Sequence, residues 1–246
     1  MAKPQQAAVK RLAPRLYLVT PLLDETDAFA DTLGSALEAA DVAAVLLRLK
    51  PAGERELINR VKTLASIVQR KDVALVLDGH AEFAARGGAD GAHLTGIEAF
   101  TAAIASLKPE RIAGCGGLRT RHDAMLAAER GADYVMFGEP EANAHRPSFP
   151  AIVERIEWWA NLFEIPCVGF AAAPSEIAPL KAAGADFVAV GDAVWQDPRG
   201  PATALAEAAG LLAAAETVAR NVRRSTTISS AVTRLPSPTT DPPCWP

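Results

Sequence analysis

The chain has 246 residues, half of them hydrophobic, and its 25 Lys and Arg against 29 Asp and Glu give a formal net charge of −4. That length suits one large core, and the mild acidity argues against nucleic acid as the main partner. No apolar run reaches the roughly 18 residues of a membrane span, no apolar stretch follows the N-terminal charges as in a secretory signal, and Cys115, Cys167 and Cys244 are too widely spaced for a zinc or redox pair. A reduced, cytoplasmic protein is expected.

Residues 1–14 read as a flexible lead. Arg15–Thr20 (Arg-Leu-Tyr-Leu-Val-Thr) is a predicted strand that Pro21 stops. Asp27–Ala40 has helical periodicity, Val42–Leu47 is an apolar strand leading to Arg48 and Lys50, and Glu54–Arg70 is a helix with a charged outer face. Val73–Leu77 is the third strand, with Asp78-Gly79-His80 at its exit. Ala81–Arg86, Gly91–Leu94 and Ile97–Leu107 continue as helix, strand and helix. Ile112–Cys115 is the fifth strand and Arg121–Arg130 a helix. Tyr134–Phe137 is the sixth strand, Phe149–Phe163 a helix carrying Trp158 and Trp159, and Cys167–Phe170 the seventh strand. Glu176–Ala183, Phe187–Val190 and Thr203–Arg220 complete the alternation. From 221 to 246 the chain is Ser/Thr/Pro-rich, the composition of a disordered tail.

Gly-Ala-Asp opens three of these strands, at Gly88, Gly131 and Gly184, about 43 and 53 residues apart. Glycine closes a helix in the left-handed conformation, and Asp suits the turn before a strand. Eight apolar runs alternating with helices predict a single (β/α)8 TIM barrel over 15–220. A doubly wound open sheet is the alternative, but the early G-x-G-x-x-G turn of a dinucleotide fold is missing.

In such a barrel the ligand meets the C-terminal ends of the strands. Those positions carry Thr20, Arg48, Lys50, Asp78, His80, His93, Thr95, Arg119, Gly138, Glu139, Gly191 and Asp192. Arg48 and Lys50 share strand parity and suit a phosphate or pyrophosphate, Arg as a fork and Lys as a point charge; two solvated loop cations are the alternative. Asp78, with the parity of His80, either offers Mg²⁺ an oxygen ligand or caps the next helix through an Asx turn. His93 is either an acid/base group or a satisfied core histidine. Gly191-Asp192 resembles a phosphate cup at a short helix, with Asp192 as an N-cap. Trp158-Trp159, Cys115 and Cys167 read as packing.

Together these landmarks resemble the thiamine phosphate synthase / TenI family. The carriers are Leu-Tyr-Leu-Val-Thr (16–20), Leu-Leu-Arg-Leu-Lys (46–50), Ala-Asp-Gly-Ala-His-Leu (89–94), Gly-Ala-Asp-Tyr-Val-Met-Phe-Gly (131–138) and Ala-Gly-Ala-Asp-Phe-Val-Ala-Val (183–190). The synthases join hydroxymethylpyrimidine pyrophosphate to thiazole phosphate with Mg²⁺ assistance. The resemblance implies that Arg48 and Lys50 bind pyrophosphate and that His93 orients the ligand. Asp78 and Glu98 would stand in for the two metal carboxylates. Arg119, Gly138 and Gly191 fall at further phosphate-binding positions.

The chain also departs from the family pattern. Leu46 replaces a Gln, Gly79 a metal-binding Asp, and Gly117-Leu118-Arg119 a Ser-x-His. The Thr-x-Thr-Lys loop gives way to Glu139–Arg146, with Arg146 a distant stand-in for its lysine. Ala171-Ala172 replaces the Gly-Gly of the thiazole phosphate site, and Asp192 a Ser. The implied activity is therefore thiamine phosphate synthesis on small phosphorylated ligands. A non-catalytic paralogue binding a thiamine-related phosphate, or another phosphate-sugar barrel enzyme with an acid/base pair drawn from Asp78, His93 and Asp192, are the alternatives.

Overall fold

The strand runs are apolar throughout because each is covered on both faces. The computed structural model describes residues 13–140 and 145–214. In it the strands β1 (Arg15–Leu23), β2 (Val42–Leu49), β3 (Ala74–Asp78), β4 (Gly91–Thr95), β5 (Ile112–Gly116), β6 (Tyr134–Phe137), β7 (Cys167–Ala171) and β8 (Phe187–Val190) pair in parallel and in sequence order. The pairing of β1 with β8 closes the barrel. The outer ring is α1 (Asp27–Ala39), α2 (Glu54–Gln69), α3 (Ala81–Gly87), α4 (Ile97–Leu107), α5 (Arg121–Glu129), α6 (Phe149–Leu162) and α7 (Ile177–Ala182), which follows a 3-10 turn at Pro174–Glu176. A one-turn helix α8 (Asp192–Trp195) follows β8, and α9 covers 201–214. This is the (β/α)8 TIM barrel. The expected lead over 1–12, the loop positions 141–144, the end of the last helix after 214, Cys244 and the tail lie outside the described residues.

One boundary differs in an instructive way. β1 runs through Pro21 instead of ending there. Its register with β2 shifts between Val19 and Leu22, so Pro21 occupies an irregularity where a missing N–H breaks no ladder bond. The Thr20 hydroxyl donates to the Pro21 carbonyl and accepts from the Arg48 N–H at 3.0 Å, fixing the backbone that carries Arg48.

Alternation divides each strand between two cores. Outward residues such as Leu18, Val45, Leu75 and Val188 join the helices in one large cluster. Inward residues, among them Tyr17, Leu46, Val76, Met136 and Val168, fill the barrel axis. Trp159 is buried in the outer layer, stacks on Phe163 at 4.1 Å and donates its indole N–H to the Ile165 carbonyl. Cys115 and Cys167 are buried thiols, and burial pushes Cys115 up to about 12.

The three Gly-Ala-Asp copies have one structural purpose. Gly88, Gly131 and Gly184 take positive φ at the helix ends, and the following Ala N–H returns to the helix carbonyl five residues back. Each Asp then grips the start of the preceding strand twice. Its N–H donates to the carbonyl of Leu75, Ala113 or Cys167, and its carboxylate accepts the N–H of the same residue at 2.7–2.9 Å. At β1–β2, Asp41 holds Arg15 by an ion pair of 2.6 Å. No helix among the described residues is long and apolar enough to cross a membrane.

Candidate active site

A cavity of about 100 Å³ opens at the C-terminal ends of the strands. Its wall carries one cation among the described residues, Arg48, and three carboxylates, Asp78, Glu139 and Asp192. Arg48 stands above Leu46 on the inward parity of β2. Its Nε lies 3.5 Å from Asp78 Oδ2, and both side chains remain more than one-third exposed. A guanidinium in that position has donors left for an anionic oxygen.

The floor is a buried polar array. His93 is 2% exposed and is placed opposite Asp78 by the β3–β4 register. Its Nδ1 is 3.0 Å from the Tyr134 hydroxyl, which lies 2.7 Å from the Tyr17 hydroxyl. Glycines at inward positions of β5 make room for this array. A Cβ on Gly114 would strike the Tyr134 ring, and one on Gly116 would strike both Glu139 Oε1 and His93 Nε2. Glu139 and His93 therefore share the space above Gly116. The Gly117 N–H donates to Glu139 Oε1.

Burial sets the charge of this floor. It pushes the Glu139 carboxyl from 4.5 up to about 7, against the lowering pull of its backbone hydrogen bonds and with a further push from Asp78. It drives His93 from 6.5 down to about 4, although Asp78 pulls the other way. Tyr17 and Tyr134 are both raised, again mainly by burial. Near neutrality the floor thus offers a neutral imidazole and a carboxyl that can either donate or accept.

The structure brings some of the expected residues to the cavity wall and leaves others outside it. Arg48, Asp78, His93, Thr95, Glu139, Gly191 and Asp192 line the cavity. Lys50 does not, because β2 ends at Leu49 and its ammonium pairs with Asp24 at 3.2 Å. His80 takes φ 49° after β3 has ended, and its ring stacks on Phe83. Asp78 makes no side-chain cap for α3. Glu98 is exposed in the first turn of α4, outside the cavity wall. Arg119 is exposed and offers its carbonyl to Arg155 at 2.7 Å. Gly138 serves packing: a Cβ there would strike Ile152. Asp192 is the first residue of α8, whose N-cap is Gly191.

One pair escaped the sequence reading: Tyr17 and Tyr134 looked like ordinary strand apolars, although the glycine at 114 signals that something large crosses the barrel axis. Arg146, expected as a distant stand-in for a loop lysine, has a different task. Its guanidinium donates to the Gly138 and Phe170 carbonyls at 2.7 and 2.6 Å and meets both oxygens of Glu176 at 3.0 and 2.8 Å. Glu176 Oε2 also accepts the Ala172 N–H at 2.8 Å. Arg146 is therefore a clasp between the β6 and β7 loops, and no stand-in for a pyrophosphate lysine.

Mg²⁺ suits this mouth in one respect. The ion is commonly held by one or two carboxylates together with substrate phosphate oxygens, and Asp78 presents a carboxylate beside Arg48. Among the described residues no cluster of three or more His, Cys, Asp or Glu forms a preformed metal cage.

A closed β/α barrel with a charged, ligand-sized cavity at its strand exits defines the class, a TIM barrel with its site at the C-terminal mouth. The comparisons narrow that class. The profile described as thiamine monophosphate synthase matches residues 16–194, and the chain belongs to that family. It is 42% identical over 196 residues to the thiamine-phosphate synthase of Rhodospirillum centenum, covering 78% of this chain and 95% of that one. It is 37% identical over 208 residues to the thiamine-phosphate synthase of Hyphomonas neptunium, covering 80% and 93%. Among solved structures, the thiamine phosphate pyrophosphorylase from Pyrococcus furiosus superposes with a TM-score of 0.68 at 23% identity, covering 82% of this chain and 96% of that one. At that identity the likeness speaks for the fold alone.

Proposed function

We propose that this chain is a thiamine phosphate synthase-like transferase that moves a hydroxymethylpyrimidine group from its pyrophosphate to the nitrogen of a thiazole. The observation that carries the reading is Arg48, held above the cavity by Asp78 and the Thr20–Pro21 irregularity, in a chain whose family and relatives bear the synthase name.

The reaction breaks the bond between the pyrimidine methylene carbon and the pyrophosphate oxygen, and that electron pair leaves with pyrophosphate. The thiazole nitrogen lone pair forms the new carbon–nitrogen bond. Arg48 donates to the departing oxygens as their charge grows, which is where a fixed donor lowers the barrier most. Asp78 would hold Mg²⁺ together with substrate oxygens, and the ion would supply charge neutralisation there. Glu139 and His93 at the floor orient the pyrimidine ring by donor and acceptor hydrogen bonds, and the apolar side chains of Val19, Met136 and Phe170 exclude water around it. Lys50, tied to Asp24 at the rim, adds long-range attraction for pyrophosphate.

The test is product formation from hydroxymethylpyrimidine pyrophosphate, a thiazole partner and Mg²⁺, with Arg48→Ala as control. Product above the control supports the transferase. A second reading, a non-catalytic binder, is favoured by the small number of cations at the mouth. It predicts a ligand-induced rise in Tm without product.

A further inference from the structure

The hydrogen bonds of the Tyr17–Tyr134–His93 array run in one direction, and the placement of its protons gives that direction. Among the described residues the Tyr17 hydroxyl has one hydrogen-bond partner, the Tyr134 hydroxyl at 2.7 Å, and Tyr134 has one more, His93 Nδ1 at 3.0 Å. Each hydroxyl carries a single proton, and a neutral imidazole has one N–H and one bare nitrogen. With the proton on Nδ1, His93 would donate to Tyr134 and Tyr134 to Tyr17. The Tyr17 proton would then have no acceptor. Run the other way, Tyr17 donates to Tyr134 and Tyr134 donates to a bare Nδ1, so both hydroxyl protons are used. Both tyrosines are buried, and a buried donor without an acceptor bears its full desolvation penalty.

The far side of the ring is compatible with the same state. Nε2 and Glu139 Oε1 converge on one point above Gly116, where a Cβ would strike both. Burial holds His93 down to about 4, so the ring is neutral near pH 7. Glu139, raised to about 7, can donate or accept there and does not choose the tautomer. The choice falls to the partner of Nδ1, since the bond made by one ring nitrogen sets the state of the other. His93 lines the cavity, whereas neither tyrosine belongs to its wall.

We infer that Tyr134, backed by Tyr17, is a positioning residue that fixes His93 with its proton on Nε2, so that the cavity floor offers a standing donor to a ring nitrogen of the bound heterocycle. What the donor meets rests on the transferase reading above; the tautomer does not. A bare pyrimidine nitrogen only accepts, and a donor fixed before the ring arrives needs no reorganisation on binding.

The experiment is long-range ¹H–¹⁵N correlation NMR at pH 7 on the full chain labelled with ¹⁵N-histidine. The His93 signals are those that His93→Gln removes. The parent chain should show a bare Nδ1 and a protonated Nε2. A proton on Nδ1, or a mixture of the two forms, overturns the inference. Tyr134→Phe and Tyr17→Phe each delete a buried hydroxyl, but only the first takes the donor away from Nδ1. Tyr134→Phe should release the ring into a mixture of tautomers, and Tyr17→Phe should keep the parent pattern. A ring still wholly protonated on Nε2 in Tyr134→Phe overturns the positioning role. If that variant does not fold, the parent and Tyr17→Phe decide: a proton on Nε2 in both supports the inference, and one on Nδ1 in either overturns it. Calorimetry adds the ligand. Hydroxymethylpyrimidine pyrophosphate should bind Tyr134→Phe roughly fivefold more weakly than Tyr17→Phe, the scale of one hydrogen bond, while inorganic pyrophosphate binds the two alike. Equal binding of the pyrimidine compound by the two variants overturns the inference. If the parent chain does not bind that compound, the transferase reading fails and the spectra alone decide this one.

Discussion

The base and the mouth of this barrel are built on opposite plans. At the base one device recurs: an Asp after a left-handed glycine grips the strand before it, at Asp90, Asp133 and Asp186. At the mouth five successive strands each contribute something different: a bulge-held arginine from β2, an aspartate from β3, a buried histidine from β4, glycine-made space on β5, a raised glutamate after β6. The base groups are satisfied by their own chain. Those at the mouth are left with donors and acceptors to offer a ligand. The difference teaches that changes at the two ends should separate stability from binding, although only about a strand's length divides them.

Arg48→Ala should give the largest effect, roughly 100-fold weaker binding of hydroxymethylpyrimidine pyrophosphate by calorimetry, with little change in Tm. An equal loss of both would erase the proposed division. Gly116→Ala comes next and attacks the boundary, since the added methyl strikes Glu139 and His93 together. Overpacking of this kind costs about 1–3 kcal/mol, and urea unfolding and ligand titration should both register it. Asp186→Ala removes the carboxylate from the Cys167 N–H. It should cost about 1–3 kcal/mol in urea unfolding, the range for a partner lost by a buried donor. KM should stay unchanged, and a shifted KM would show that the base reaches the mouth.

The smallest effect is a slope with pH. Glu139 is raised from 4.5 to about 7, so the stability it contributes is complete below pH 4.5 and is lost as pH climbs to 7. His93 is lowered from 6.5 to about 4, so its contribution is complete above pH 6.5 and is lost as pH falls towards 4. Between pH 4.5 and 6.5 the two trends oppose and largely cancel. Glu139→Gln should unmask the histidine, giving a Tm that climbs with pH across that window more steeply than in the parent chain. Parallel Tm–pH curves would mean that the two groups do not share the environment above Gly116.

Sequence pattern was enough for the barrel and for the inward stations of β2, β3 and β4, because alternation holds wherever a strand continues. It failed just beyond the ends of β2 and β3. Lys50 and His80 were projected by parity past Leu49 and Asp78, where the backbone had already left the sheet. Pro21 misled in the other direction, since an irregularity in the pairing tolerates what a regular ladder would reject. The Arg146–Glu176 clasp joins residues 30 apart across two loops, a distance at which neither periodicity nor parity carries information. Glu139 was visible as a strand-exit acid, but its elevated pKa depends on burial beside His93, which no local pattern reports.

The three aspartate grips and the Arg15–Asp41 pair also partition the closed barrel. They bind β1 to β2, β3 to β4, β5 to β6 and β7 to β8, which leaves four unlocked seams, those after α2, α4 and α6 and the closing one between β8 and β1. A circular permutant opened at a seam would keep every lock inside one continuous quarter. Opened within a quarter, the same chain would have to close that lock across nearly its whole length, and the entropic penalty of closure grows with the loop.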